Sequence, residues 1–406
     1  MNESSTAAVK VASRTCEVID ETLAGEGPKA AIDRLVETLE SRGDFRALLD
    51  ALLLQARFEL SLPLVVQGGL NDLPEPDRTK YEERYVVAIR TVGRKLLDRA
   101  QIAAAWPYYR VLGENAPVFE ALELFEHHAP ETYDPDASDT LGPIIEVAFA
   151  QGVHPRKGWD LILDHHGPCA AISAFDQLPP DETIRRHCAG RLVKHLHEQI
   201  LGNLRADIAR RGESEPFQNA SISEILFGRD WLFEEDNYHA DVSHLSATVR
   251  MSPILADRDA LALAIELTKY GRHLSERHRF EGDPPFEDVY VDHGVYLKAL
   301  LDIDFENALS HFRSKISPRD DSWFDPSASL PPQVLILLLV RASRFVEAIS
   351  VFREHLLSVP EGSLICPNLS ALCLRADRLD LLAEISLERD DAVNYAAAIL
   401  QGKKLL

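Results

Sequence analysis

The sequence predicts an all-α protein, on three observations. Apolar residues recur at helical spacing from one end to the other, short Gly-, Pro- and Asp-bearing breaks punctuate them, and no stretch sustains the alternation of a half-buried strand. Leu35 and Leu39, then Leu48, Leu49, Leu52 and Leu53, mark two amphipathic segments separated by Ser41-Arg42-Gly43-Asp44. Gly43 suits a left-handed helix end and Asp44 a cap for the next helix. The same grammar pairs Tyr81–Arg99 with Ile102–Gly113, and Thr140–Gln151 with Pro155–His166. Pro155 fits a first helical turn, where its missing N–H is not needed. Asp181–Arg211 is the longest uninterrupted helix expected, opening after Pro179-Pro180 and closing at Gly212; Asp288–Val291 is the only short β-like stretch.

Composition narrows the function classes. The 406 residues carry 65 acidic and 43 basic side chains, a formal net charge of −22. That excess repels phosphate backbones and anionic lipid, so neither nucleic acid nor a membrane surface is an expected partner. Five cysteines, Cys16, Cys169, Cys188, Cys366 and Cys373, are odd in number and form no CxxC pair, which argues against a disulfide framework or a four-thiolate zinc site. The segment Met1–Thr6 is polar and lacks the order of a secretion signal. The longest aliphatic run, Val334–Val340, falls far short of the ~20 residues that span a bilayer as a helix. A reduced, cytoplasmic location is the expectation.

Breaks lie at Asp134–Gly142, Gly212–Ser221, Glu281–Phe286 and Ser317–Pro332. The last is the expected boundary, dividing a helical array over 1–316 from a C-terminal helical group over 333–406. The middle of the array, about 155–296, matches no known pattern.

Self-similarity is clearest from Ile89, with Val92, Gly93 and Leu96, then Ile102, Ala105, Tyr109, Leu112 and Pro117. A second unit runs Leu335, Leu339, Phe345, Ala348, Phe352 and Pro360. Partial units have Phe305, Ala308 and Phe312, and Asp44-Phe45 with Leu48 and Leu52. Phe345 and Leu379 are 34 positions apart, each following an arginine in a turn. These spacings resemble the tetratricopeptide repeat, a 34-residue helix–turn–helix unit. Its small residues let two helix backbones approach to about 8 Å while larger ones fill the grooves beside them. The resemblance implies hairpins stacked as an α-solenoid, with a groove that holds a protein or peptide. A helical-repeat scaffold or adaptor needing no cofactor is therefore the expected function, with Trp106 and Tyr108 either groove candidates or, more plainly, core packing.

The competing expectation is an all-α enzyme or ligand-binding protein, and one constellation supports it. His239, Asp241 and His244, completed by His293, supply imidazole and carboxylate groups of the kind a divalent metal accepts. The same residues admit a plainer reading, in which Asp241 caps a helix facing the core through Val242, Leu245 and Val249, with the histidines at its edge. His187, Arg191 and His195 share a helix face, with His197-Glu198 on another; such a face either holds an anion or metal or is simply solvated. His127-His128 and His165-His166 suit helix ends, where an imidazolium complements the carbonyl dipole. Arg272, Arg277 and Arg279 either clamp an anion through their guanidinium forks or pair with the acidic stretch that begins at Glu281. Ser243 beside Asp241 and His244 resembles a triad only on paper, because triad geometry needs separate elements.

Overall fold

The computed structural model describes residues 3–65, 73–126, 141–214, 217–316 and 327–402. Among these residues every regular element is a helix, and the sole extended pairing is an isolated bridge between Glu281 and Asp288. The all-α expectation is met. The chain divides into two compact units, 1–165 and 166–406. Of the boundary expected at 317–332, residues 317–326 lie outside the described residues, and 327–332 form a 3-10 turn and the start of a helix.

In the first unit, α1 (Glu3–Glu26), α2 (Pro28–Arg42), α3 (Phe45–Glu59), α4 (Asp77–Asp98), α5 (Ile102–Leu112) and α6 (Ala116–Glu123) each pack on the next. Helix α7 (141–150) follows and ends in a π-helical turn, Glu146–Ala150. One core runs through α3 to α7, built on Leu48, Val92, Ala105, Trp106, Val118, Leu122 and Ala148. Gly93 sits where a Cβ would come within 2.9 Å of the Tyr109 ring, so the glycine permits the close approach of α4 and α5. Helix α8 (Pro155–Phe175) spans the division between units. It breaks at Gly167 (φ 77°), immediately after His165-His166, so the helix end expected there is present.

The second unit starts on α9 (Glu182–Arg211), whose Asp181 accepts from Ile184 N and whose Gly212 takes the left-handed cap. Cys188, Leu192, Leu196, Ile200, Leu204 and Ile208 form its buried stripe at steps of four. A short α10 (Ile222–Leu226) and a 3-10 segment (Asp230–Asp236) lead to α11 (Val242–Met251) and α12 (Arg258–Gly271). Helix α9 packs against both α11 and α12. The β-like stretch is instead the start of α13 (Val289–Leu300), where Asp288 accepts from Tyr290 N and Val291 N as the N-cap. From α13 onward each helix contacts its successor: α14 (Phe305–Ser314), α15 (Leu330–Arg341), α16 (Phe345–His355), α17 (Leu369–Arg375), α18 (Leu379–Glu388) and α19 (Ala392–Gly402). The aliphatic run Val334–Val340 lies within α15, and no helix among the described residues is long and apolar enough to cross a membrane.

One turn recurs between helices. Gly43, Ala100, Ser343 and Asp377 all adopt the left-handed conformation, with φ from 54° to 72°. The next residue, Asp44, Gln101, Arg344 or Arg378, takes ψ between 54° and 75° and starts the following helix. Its N–H bonds back to a carbonyl in the last turn of the preceding helix, at 3.2, 2.9, 2.8 and 2.9 Å respectively. Three of the four left-handed positions carry a side chain that disfavours the conformation. Replacing exposed Ala100 with glycine is expected to raise unfolding free energy by about 0.5–1 kcal/mol, the relief of left-handed strain less the added freedom of the unfolded chain. Urea denaturation reads this directly, and a destabilised variant would contradict the turn geometry.

Small residues hold the helix contacts. Ala105 and Ala348 are both fully buried, on α5 and α16. Ala105→Phe and Ala348→Phe are each expected to destabilise by about 1–3 kcal/mol through overpacking. Unchanged melting curves for both would show that the crossings tolerate bulk and are not sterically set.

Candidate functional site

The site grows from the turn that precedes α11. Asp241 is the N-cap of α11, and its carboxylate accepts from Ser243 N at 2.8 Å and His244 N at 3.2 Å. Its Oδ1 also takes the Ser243 hydroxyl. This capping holds the Asp241 acid below the usual carboxylate range, with the Ser243 side chain the largest influence. Ser243 is therefore part of a helix cap and not of a triad. Leu245 and Val249 are buried on the core face of α11, as the capping reading requires.

His239 lies just before this cap and is only 5% exposed. Its backbone N–H donates to the Tyr270 hydroxyl at 2.7 Å, and the ring Nδ1 is 3.0 Å from the same oxygen. The hydroxyl accepts the backbone N–H and shares a second hydrogen bond with Nδ1, donating its own proton there when the ring proton sits on Nε2. Nε2 stands 3.3 Å from Asp207 Oδ2 on α9, but too obliquely for a hydrogen bond. Burial lowers the His239 pKa more than the Asp207 charge raises it, so the imidazole is neutral at pH 7. Burial also pushes the Tyr270 phenol up. The result is a hydroxyl, a neutral imidazole and a carboxylate in sequence, drawn from α12, the loop before α11, and α9.

His239 and Asp207 line a cleft of about 430 Å³ with Asn203, Arg210, Asn237 and Asp241, whereas Tyr270 is not part of its wall. Asp207 pairs with Arg210 and accepts from Asn237 Nδ2 at 3.2 Å, while Asn203 Nδ2 donates to the His239 carbonyl at 2.7 Å. A polar ligand would meet fixed amides, one carboxylate, one guanidinium and a buried imidazole edge.

Not all the residues expected from sequence come here. His239 and Asp241 line the same cleft, but His293 lines another, with Phe286, Arg250 and Val334. His293 Nδ1 donates to Val289 O at 2.7 Å, and its ring stacks on Phe286 at 4.3 Å. The Asp241 carboxylate is turned onto backbone N–H groups. Among the described residues no group of three or more His, Cys, Asp or Glu is placed to hold a metal ion.

The basic cluster finds partners other than the acidic stretch at Glu281. Arg277 pairs with Asp236, and Arg279 donates to the carbonyls of Leu274 at 2.9 Å and Arg272 at 2.6 Å. Arg272 is exposed, and the Glu281 carbonyl is taken by Arg250. The guanidiniums of Arg277 and Arg279 thus tie down the loop after α12. Trp106 is a correction. It belongs to the core of the first unit at 7% exposure, because the α5 face that carries Ala105 and Tyr109 carries it too. Tyr108 is half-buried and packs against the same core. His127-His128 lie outside the described residues. Sequence reasoning missed Asp207 and Tyr270, which carry no motif and reach His239 only through the packing of α9 and α12.

No protein-family model matches this chain, and no curated protein matches it in sequence.

Proposed function

We propose that the chain is a helical-hairpin repeat scaffold, similar to tetratricopeptide-repeat proteins, that binds a protein or peptide partner. The observation that carries this reading is the recurrent turn, present at Gly43-Asp44, Ala100-Gln101, Ser343-Arg344 and Asp377-Arg378. The last two are 34 positions apart, the period of that repeat. Gly93 against Tyr109, and buried Ala105 and Ala348, supply the small-residue contacts that such hairpins use. Helix faces in these arrays remain available for a partner, and Val87, Val111 and Val346 are exposed apolar positions on α4, α5 and α16. The test is photo-crosslinking from those three positions in the native host, followed by reconstitution from purified components. One reproducible partner that binds the pure chain, and binds more weakly to Val111→Asp, supports the scaffold. Crosslinks that scatter, or a candidate that fails to bind the pure chain, overturn it.

A second reading has its own observation in its favour: the neutral, buried His239 between Tyr270 and Asp207 at the back of a polar cleft. That arrangement suits recognition of a polar small molecule, or proton transfer to one. Metal analysis of untagged protein tests whether a divalent ion takes part. Stoichiometric zinc, iron or manganese, lost in folded Asp207→Asn and His239→Gln variants, would favour a metal-dependent site. Protein without bound metal would rule out a metal-dependent site and leave recognition or proton transfer at His239 to proceed without one.

A further inference from the structure

Helices α9 and α12 pack against each other, and a cleft of about 520 Å³ lies beside their contact, bordered by residues 218–221 and by Leu301 and Ile303. It is separate from the cleft at His239. Its walls are largely apolar, with Leu201, Leu263, Ile265 and Leu301 among them, and its polar lining includes His197, Glu266 and Lys269 beside the 218–221 border. His197, on α9, is only 7% exposed, and its Nε2 is buried with no hydrogen-bond partner. Glu266, on α12, is 14% exposed at its side chain and fully engaged. It accepts from Ser223 N at 3.1 Å, Ser223 Oγ at 2.8 Å and Lys269 Nζ at 2.9 Å.

A buried ring nitrogen left unpaired is costly to the fold, and such a group beside an apolar cleft is what a bound molecule would satisfy. We propose that this cleft binds a small neutral molecule with an apolar body and a hydroxyl head group that hydrogen-bonds to His197 Nε2. The charge of the wall decides against an ionic ligand. Glu266 and Lys269 are already paired there, so a carboxylate would meet Glu266 and an ammonium would meet a lysine. A hydroxyl both donates and accepts, so it suits either tautomer of His197. Burial lowers the His197 pKa despite the nearby Glu266 charge, which keeps the ring neutral and able to serve such a group.

The probe is 2-naphthol, titrated calorimetrically into the full-length chain beside 2-methylnaphthalene, 2-naphthoate and 2-naphthylmethylammonium. One-to-one binding of 2-naphthol is expected, with 2-methylnaphthalene weaker by about fivefold or more, the effect of one lost hydrogen bond. Both charged analogues are expected to bind more weakly still. His197→Phe should abolish the preference for the hydroxyl while retaining apolar binding. Ala262→Trp, at an exposed rim position, should block the cleft without disturbing the core. Equal binding of 2-naphthol and 2-methylnaphthalene would overturn the role of His197. Failure of 2-naphthol to bind, or binding unchanged in Ala262→Trp, would overturn the site.

Discussion

Replacing Asp292 with alanine is expected to destabilise the second unit by about 3–5 kcal/mol, the range for breaking a buried charge pair from one side. Asp292 is only 1% exposed, yet it holds three donors. His311 Nε2 lies 2.7 Å from Oδ1, Lys315 Nζ 2.9 Å from Oδ2, and Asp288 N–H donates to Oδ2 at 2.9 Å. His311 and Lys315 belong to α14 or its end, so one carboxylate on α13 fixes the hairpin. Burial works against the Lys315 ammonium, but its bonds to Glu287 and Asp292 outweigh that and raise its pKa. In Asp292→Ala the lysine keeps Glu287, at 2.7 Å, whereas His311 and the Asp288 amide lose their partner. Lys315→Met should be milder, because Asp292 retains His311. The double variant should fall short of the sum of the two, since the groups form one network. Urea denaturation measures all three. A loss below about 1 kcal/mol for Asp292→Ala would mean that water replaces the carboxylate and that the pair is not truly buried.

Helix limits set by local chemistry were legible: Asp181 and Gly212 bracket α9, Gly43 and Asp44 join α2 to α3, and His165-His166 precede a break at Gly167. Each rests on a preference that acts within one turn of chain. The left-handed turns at Ala100, Ser343 and Asp377 were not legible as such, because nothing in an alanine or serine announces positive φ. Tertiary packing imposes it there. The candidate site divides along the same line. Asp241 as a helix cap followed from spacing alone, whereas the partners of His239 lie on α9 and α12 and appear only when those helices pack together. Asp292 likewise carries no local signal, because its partners His311 and Lys315 reach it only when α14 packs against α13.

Acidification should destabilise the fold before most carboxylates begin to titrate, and His293 should account for most of the effect that one residue can carry. Burial pushes its pKa down from 6.5 to about 4, with the Val289 carbonyl opposing and Arg250 assisting. The Asp292 charge nearby opposes as well, but more weakly. A pKa lower in the folded chain than in the unfolded one means that folding favours the neutral ring. That contribution is complete above pH 6.5 and is lost as pH falls towards 4, because the unfolded chain takes up the proton first. Between pH 7.5 and 5.0 the loss from this residue alone is about 2 kcal/mol. His197, His239 and His273 are lowered by burial too and add in the same direction. His293→Phe preserves the stack on Phe286 and removes the titrating group, at the cost of the bond to Val289 O. Its stability at pH 7.5 should therefore be somewhat lower than that of the parent, while its fall between pH 7.5 and 5.0 should be smaller by about 2 kcal/mol. Parallel pH profiles for the two proteins would mean that His293 protonates freely in the folded chain, and that the contact between Phe286 and α13 opens to water.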